Sequence, residues 1–185
     1  MKLYFVRHGE TDSNRDGIMQ GQSINQQLND RGVRTCLSLK NKLSSTSFDT
    51  CYTSPMLRAW STALIIAGEK CIVQEDSRLI ERYLGDFEGK ERAEYDMSKF
   101  WDYELDSTDN GVESIRSLIS RCRSFLEYIL DKYDDSSNVL IVSHAGIIRC
   151  FHYLLSGSIS NKDLLTLSIE NASVREYNIS KKDFK

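Results

Sequence analysis

Two short apolar runs, each leading into a histidine, constrain the fold of this chain more than any other feature. The run 3–6 (LYFV) leads through Arg7 into His8, and the run 139–142 (VLIV) leads through one serine into His144. Continuous apolar runs of this length are typical of strands buried on both faces of a parallel sheet. Because ligands bind beyond the carboxyl ends of such strands, both histidines are placed where a catalytic site forms.

The rest of the chain alternates predicted strands and helices. Strands are predicted at about 2–7, 50–53, from 71, 138–143, 164–169 and 173–179, and helices at about 29–44, 54–67, 112–132 and after His144. Asn29 is the predicted N-cap of the first helix, and Pro55 falls in the first turn of the second. A polar loop spans 9–27. The polar, charged and aromatic stretch 77–110 is predicted as an insertion near the site, with at most a short helix around 91–104.

This alternation predicts one domain over residues 1–185, with an α/β fold. We expect a three-layer α/β/α sandwich with a mainly parallel central sheet.

Charge and composition exclude several classes of protein. A net charge of -3 does not favour a nucleic-acid surface, so local arginines must attract an anionic substrate. No apolar stretch approaches the ~20 residues that span a bilayer, and the apolar start is too short for a signal peptide. The five scattered cysteines form no Cys-x-x-Cys pair, which argues against a zinc ribbon or a thioredoxin-like redox site. We therefore expect a soluble cytoplasmic protein without nucleic-acid or membrane partners, and of open oligomeric state.

The residues near the strand ends favour phosphate chemistry. A phosphoryl group in transfer needs donors aimed at its oxygens, and arginine holds phosphate with two parallel hydrogen bonds. Arg7 and Arg58 supply such groups. Of His8 and His144, one can act as a neutral nucleophile and the other as a charged hydrogen-bond donor. Glu81 is the preferred acid for protonating the leaving oxygen.

Other phosphate motifs fail. The segment 85–91 (GDFEGKE) has its glycines one residue too close for a P-loop, and Glu91 stands where a hydroxyl residue is required. No cysteine is followed by arginine at the spacing of a cysteine phosphatase, and no His-Glu-x-x-His zinc motif occurs.

Taken in order, the motifs resemble the histidine phosphatase superfamily, in the branch that contains cofactor-dependent phosphoglycerate mutase and small phosphatases. The matching segments are 7–11 (RHGET) with Asn14, Gln20-Gly21, 28–32 (LNDRG), 54–59 (SPMLRA) with Thr62, 79–81 (LIE), 85–89 (GDFEG), 113–114 (ES) with Arg121, and 143–146 (SHAG).

The resemblance implies which residue acts in each step of phosphoryl transfer. His8 would attack phosphorus and become phosphorylated, and Glu81 would protonate the leaving oxygen and then activate water. Arg7, Arg58 and His144 would bind the phosphoryl oxygens. No metal or other cofactor is implied, because arginines and an imidazolium supply the positive charge.

A second set of residues is predicted to bind phosphate or substrate: Asn14, Gln20, Gly21 and Ala145. Asn14 is either a phosphate donor or a turn-stabilising cap. Gln20 and Gly21 either contact substrate or shape their loop. Ala145 stands where the family often has glycine, and its methyl group could tighten the phosphate loop. The segment 25–28 (NQQL) and Ser61 also depart from the family's pattern.

The remaining polar and aromatic residues favour structural interpretations. His152 is predicted to be structural, and Arg149 to be an ion-pair partner. A solvated face is favoured over contact with a second substrate anion for Arg82, Lys90 and Arg92. Packing of the insertion is favoured over lining of a pocket for Tyr83, Phe87, Tyr95, Phe100, Trp101 and Tyr103.

The sequence thus predicts a metal-independent phosphomonoester hydrolase acting on a small phosphorylated metabolite. The alternative is a cofactor-dependent phosphoglycerate mutase, but the short acidic stretch between Gly89 and Gly111 favours a site open to water. A silent binding module would be expected to lack His8, Arg58 or His144, all of which are present. Substrate candidates range from sugar phosphates and phosphoglycerate to nucleotide-like and cofactor-precursor monophosphates, including ribazole phosphate.

Overall fold

A computed structural model of the protein describes residues 1–96, 98–157, 164 and 167–184. In these ranges the chain forms a five-stranded sheet in the order β3-β2-β4-β1-β5. The strands are β1 (Lys2–Arg7), β2 (Thr50–Thr53), β3 (Val73–Glu75), β4 (Asn138–Ser143) and β5 (Val174–Asn178). β5 runs antiparallel to β1, and the other pairings are parallel. The mainly parallel sheet predicted from the sequence is confirmed.

The register brings the two histidine segments together. β1 and β4 pair in parallel from Lys2 opposite Asn138 to Arg7 opposite Ser143. His8 and His144 each come one residue after these strands, and the His8 backbone N–H donates to the Ser143 carbonyl at 2.9 Å. The two histidines therefore lie side by side at the carboxyl edge of the sheet.

Helices cover both faces of the sheet. They are α1 (Asp12–Arg15), α2 (Asp30–Lys42), α3 (Leu57–Ala67), α4 (Ile115–Lys132) and α5 (Ala145–Ser156). Leu3 and Phe5 of β1 pack into a core with α4 and α5, whereas Tyr4 and Val6 pack into a second core with α2 and α3. Alternate residues of one strand enter opposite layers, as expected for a strand buried on both faces. The predicted α/β/α sandwich is confirmed.

Only some of the helices begin where the local sequence predicts. Asn29 caps α2 as predicted, its side chain accepting from the Gly32 N–H at 2.8 Å. α3 begins at Leu57 rather than at 54, so the predicted position of Pro55 in its first turn is wrong. The reason is that the Ser54 N–H donates to the Val142 carbonyl at 3.0 Å, which keeps Ser54 in the sheet.

The described residues of 91–104 form two short 3-10 turns, Arg92–Glu94 and Lys99–Trp101, which agrees with the expectation of at most a short helix there. The segment lacks an apolar repeat of helical period. Other predictions differ from the structure. α1 lies unpredicted in the polar loop 9–27, and β3 begins at Val73 instead of 71. Of the predicted strand 164–169, residues 165 and 166 lie outside the described residues, Leu164 is helical and 167–169 form no strand.

None of the helices in the described ranges is both long and apolar enough to cross a bilayer.

Candidate active site

A cavity of about 340 Å³ opens at the carboxyl edge of the sheet, a size that suits a small metabolite. It is lined by all but one of the residues that the sequence assigned to the site: Arg7, His8, Asn14, Gln20, Gly21, Arg58, Glu81 and Ala145. The exception is His144, whose ring centroid lies 5.2 Å from that of His8.

His8 is 3% exposed, and its ring is oriented by its own chain. Nδ1 lies 2.7 Å from the Gly9 carbonyl oxygen, so the proton belongs on Nδ1 and the lone pair on Nε2. Burial, followed by the charges of Arg58 and Arg7, lowers the pKa of His8 well below its ordinary value. The imidazole is therefore neutral near pH 7, the form that a nucleophile requires.

His144 is fully buried, and its Nε2 lies 2.8 Å from the Ser54 hydroxyl oxygen. The other contact of that hydroxyl oxygen is a donor, the Met56 N–H at 3.3 Å, so among the described residues Nε2 of His144 is the acceptor found for the hydroxyl proton. The imidazole proton is accordingly assigned to Nδ1. Burial, with the nearby Arg58 charge, lowers the pKa of His144 well below its ordinary value. The imidazole of His144 is therefore neutral near pH 7 in this structure, and its Nδ1–H is a donor.

Arg7 and Arg58 are held by backbone carbonyls. Arg58 is 1% exposed and donates from Nη1 to Ile24 at 2.9 Å and from Nη2 to Gly21 at 2.8 Å. Arg7 donates from Nη1 to Ile169 at 2.7 Å. Burial lowers the pKa of each arginine to about 10, and the charge of Glu81 opposes that effect. Both guanidinium groups therefore remain charged near pH 7.

Three buried nitrogens around His8 have no hydrogen-bond partner among the described residues: Arg7 Nε, Arg58 Nε and His144 Nδ1. A buried donor without a partner is costly, so such groups indicate a ligand. All three donate, and two belong to charged groups. An anionic, oxygen-rich group such as a phosphoryl group suits them.

The loop that holds Arg58 is itself held by Glu88. The Glu88 carboxylate accepts from the backbone N–H groups of Gln22, Ser23 and Leu84 at 2.7 to 2.9 Å. Gly21 has φ of +50°, and a Cβ there would lie 1.8 Å from the Glu88 carboxylate. Gly21 thus shapes the loop as well as lining the cavity. Gln20, 6% exposed, lines the cavity too.

Glu81 is the carboxylate that reaches the cavity. Oε1 accepts from the Arg82 N–H at 2.9 Å, and Oε2 from the Gly146 N–H at 3.4 Å. The other nearby carboxylates are placed differently: Glu75 and Glu91 are exposed and do not line the cavity, and Glu88 holds the loop.

Asn14 fits both interpretations made from the sequence. Its side-chain oxygen accepts from the N–H and the hydroxyl of Thr11, completing the cap of α1, and from the Asn171 amide. With the oxygen occupied, Nδ2 is the group of Asn14 that can donate to a ligand in the cavity.

Several lining residues were missed or assigned elsewhere by sequence reasoning: Ser13, Gly17, Ile18, Met19, Arg82, Leu84, Arg92, Trp101, Gly146, Arg149 and Asn171. Trp101 is 6% exposed, and the Arg82 and Arg149 guanidinium groups each lie 5.1 Å from its ring centre. Trp101 therefore packs against these arginines and also lines the cavity. Arg82 is 1% exposed, which makes the predicted solvated face wrong for this residue. Arg149 lies one helical turn after Ala145, a spacing that could have revealed it.

Outside the cavity the structural interpretation fits His152, whereas Tyr83 is 41% exposed, so the predicted packing is wrong for that residue. His152 Nδ1 lies 2.8 Å from the Tyr177 hydroxyl, and the Lys90 ammonium lies 5.6 Å from the Phe87 ring centre. Within the described part of the chain, no three His, Cys, Asp or Glu side chains are grouped as metal ligands.

Comparison with known proteins agrees with this geometry. A family model described as "Histidine phosphatase superfamily (branch 1)" matches residues 3–185. The metal-independent phosphoserine phosphatase of Arabidopsis thaliana is 31% identical, over 95% of this chain and 77% of its own. Phosphoserine phosphatase 1 of Hydrogenobacter thermophilus is 32% identical, over 85% of this chain and 77% of its own.

A solved structure is similar over the same length. A phosphoserine phosphatase mutant from Entamoeba histolytica, in complex with phosphoserine, aligns with a TM-score of 0.82 at 26% identity, covering 95% of this chain and 89% of that one.

Proposed function

Because the chain belongs to the histidine phosphatase superfamily, branch 1, we propose that it hydrolyses the phosphate monoester of a small metabolite through a phosphohistidine at His8. The observation that carries the proposal is the orientation of His8: Nδ1 lies 2.7 Å from the Gly9 carbonyl oxygen, which leaves Nε2 with the lone pair. Its neutral state makes that nitrogen a nucleophile at neutral pH.

In the first step, Nε2 of His8 attacks phosphorus and the bond from phosphorus to the ester oxygen breaks. Glu81, in its protonated form, gives its proton to the leaving oxygen. In the second step, the Glu81 carboxylate takes a proton from water as the water oxygen attacks phosphorus. The bond from phosphorus to Nε2 breaks, inorganic phosphate leaves, and both side chains return to their starting forms.

The phosphoryl oxygens would be bound by donors of fixed orientation. Arg7 has one Nη group on a backbone carbonyl and Arg58 has both, so their Nε groups are oriented before substrate arrives. Nδ1 of His144 and Nδ2 of Asn14 add neutral donors. Donors that need no reorientation stabilise transition-state charge best. Gln20, Gly21 and Ala145 complete the proposed binding surface.

The outer part of the cavity supports a more specific substrate class. Arg92 and Arg149 line it, and Glu81 is the single carboxylate among its described lining residues. This excess of positive charge suits a second anionic group. The two relatives above are named phosphoserine phosphatases, and phosphoserine has a carboxylate of this kind. We therefore propose a phosphorylated carboxylic acid of this size as substrate, with residues 77–110 forming the wall that selects it.

The test is phosphate release in the presence of EDTA by the wild type and by His8→Ala, with His152→Ala as a matched histidine control outside the cavity. EDTA-resistant release, lost in His8→Ala and kept in the control, is expected. Acid-labile, base-stable labelling by a radioactive substrate should mark the wild type and the control but not His8→Ala. Equal release by His8→Ala would contradict the assigned nucleophile.

Two matched substrates test the anion preference. Phosphoserine and phosphoethanolamine differ only by the carboxylate, and we expect kcat/KM to be at least about 10-fold higher for phosphoserine, the factor that 1.4 kcal/mol supplies. Equal values would contradict the proposed class. 3-Phosphoglycerate, assayed with and without bisphosphoglycerate, distinguishes the alternative reaction, since isomerisation without net phosphate release would make the enzyme a mutase.

A further inference from the structure

The loop before β5 is bound to the end of β1. Because β5 runs antiparallel to β1, its first residues lie at the sheet edge where β1 ends. The Ala172 N–H donates to the carbonyls of Arg7 and His8 at 3.1 and 3.2 Å, and Arg7 donates back to Ile169. The loop is therefore fixed directly beside His8.

Asn171, in this loop, points its side-chain nitrogen at three oxygens. Nδ2 lies 3.0 Å from the His8 carbonyl, 3.3 Å from the Gly9 carbonyl and 3.2 Å from Oδ1 of Asn14. All three partners can only accept, so the amide orientation is determined by the contacts. Asn171 is half-buried and lines the cavity.

One of these contacts concerns the tautomer of His8. The Gly9 carbonyl oxygen accepts hydrogen bonds from both His8 Nδ1, at 2.7 Å, and the Asn171 amide, at 3.3 Å. A second donor on that carbonyl fixes its direction, and the carbonyl holds the proton of His8 on Nδ1. The lone pair then stays on Nε2, where the attack begins.

The other contact concerns Asn14. Its Oδ1 accepts from Asn171 and from Thr11, so the amide cannot rotate without losing these bonds. A rotated amide would turn an oxygen toward the phosphoryl group, where repulsion would replace a hydrogen bond. Asn171 thus keeps Nδ2 of Asn14 as the donor.

From these contacts we propose that Asn171 is a positioning residue, which holds the Gly9 carbonyl on His8 Nδ1 and the amide of Asn14 in its donating orientation. The proposal concerns the site at His8 and rests on the proposed function for its kinetic consequence. Asn171 itself takes no part in bond making.

The test compares Asn171→Asp and Asn171→Ala with the wild type. Asp keeps the shape but replaces the donor with a carboxylate facing three oxygens, and Ala removes the donor. Asn178→Asp is the matched control, because it makes the same chemical change at the exposed opposite end of β5. We expect kcat to fall on the order of 10- to 100-fold in both Asn171 variants. KM should change less, and the control should keep wild-type values.

A second readout does not depend on activity. In protein labelled with ¹⁵N-histidine, the His8 resonances report which ring nitrogen holds the proton. We expect the Nδ1–H form in the wild type and in Asn178→Asp, and a rise in the Nε2–H form in Asn171→Ala. Circular dichroism and thermal unfolding show that the variants are folded.

The failures of the two proposals are distinguishable. An inactive wild type would overturn the proposed function, while the histidine spectra would still test Asn171. An unchanged tautomer in Asn171→Ala, together with kcat within twofold of the wild type in both Asn171 variants, would overturn the positioning proposal.

Discussion

The carboxylate of Glu81 lies against the backbone of Gly146. Oε2 accepts from the Gly146 N–H at 3.4 Å, and a Cβ built on Gly146 would lie 2.4 Å from Oε1. This contact places Glu81 at the N-terminal end of α5. It also explains why alanine is accepted at 145 in a segment where the family often has two glycines. The glycine that borders Glu81 is the one that the chain retains.

Gly146→Ala is expected to displace Glu81 and lower activity. The added methyl would also lie 3.0 Å from the Trp101 ring, so the carboxylate is the group that must move. Because proton donation matters most for a poor leaving group, the loss of kcat should be larger for an alkyl phosphate than for p-nitrophenyl phosphate.

Steady-state rates with the two substrates measure this effect, and Glu81→Gln supplies the reference pattern. An equal loss on both substrates in Gly146→Ala would show that the methyl group acts in some way other than through the proton donor.

Gly21→Ala is expected to disrupt the support of Arg58, and Gly157→Ala is its matched control. Both glycines have positive φ, +50° and +65°, so each substitution costs about 1 kcal/mol of backbone strain. Among the described residues, the new Cβ meets another group at Gly21, the Glu88 carboxylate, and none within 4 Å at Gly157.

We expect similar losses in the free energy of unfolding from this strain. KM should rise for Gly21→Ala alone, because the Gly21 carbonyl, one of the two that orient Arg58, is displaced. Urea unfolding and steady-state kinetics check both quantities. Matched KM values in the two variants would contradict the assignment of this loop as the support of Arg58.

Stability is expected to fall with pH below about 6.5. Burial lowers the pKa values of His8 and His144, so the unfolded chain binds protons that the folded protein does not. This stabilisation is then fully present above pH 6.5, the histidine pKa in the unfolded chain. It is lost as the pH falls toward the lowered pKa values of the folded protein. Each histidine contributes a slope of up to about 1.4 kcal/mol per pH unit.

Urea unfolding at pH 7.0, 6.0 and 5.0 measures this slope, which should be about halved in His8→Asn. The same free energy of unfolding at pH 7.0 and 5.0 would show that the two imidazoles are not held neutral by the fold.

Thr62→Val is expected to weaken both stability and catalysis, because one buried hydroxyl joins the two halves of the site. It accepts from the Gly9 N–H at 2.9 Å and donates to the Arg58 carbonyl at 2.7 Å. Valine keeps the shape but leaves a buried N–H unpaired, which costs about 1–3 kcal/mol.

Thr62→Ser retains the hydroxyl and should restore most of the lost kcat. Chemical denaturation and rates with the preferred substrate measure both effects. Failure of serine to restore activity would mean that packing of the methyl group, and not the hydroxyl, is what the site needs.

The central layer was predictable because its pattern is local. The run 139–142 is apolar at every position, and the structure buries each one completely in the middle of the sheet. The insertion was less predictable, because its described residues are held by aromatic contacts such as Phe87 with Phe100, at 4.6 Å between ring centres. Such contacts depend on which rings the fold brings together, not on any repeat along the chain.

The order of apolar and polar residues along the chain specifies which groups end the buried strands. Burial on both faces requires an unbroken apolar run, and the polar residues that follow must leave the sheet at its carboxyl edge. This pattern places His8 and His144 at one site, with Arg58 in the helix that follows β2. The motifs also identified Glu81, although spacing alone did not distinguish it from its acidic neighbours.

The tertiary structure alone decided how these groups are oriented and charged. The antiparallel course of β5 brings Asn171 to His8 across a separation of 163 positions. Burial makes His144 neutral, because the free energy of an ion depends on the surrounding dielectric and charges. Hydrogen-bond geometry and desolvation arise between segments that are distant in the chain. The sequence therefore specified the reacting groups, and the packing of the layers set their tautomers, charges and directions.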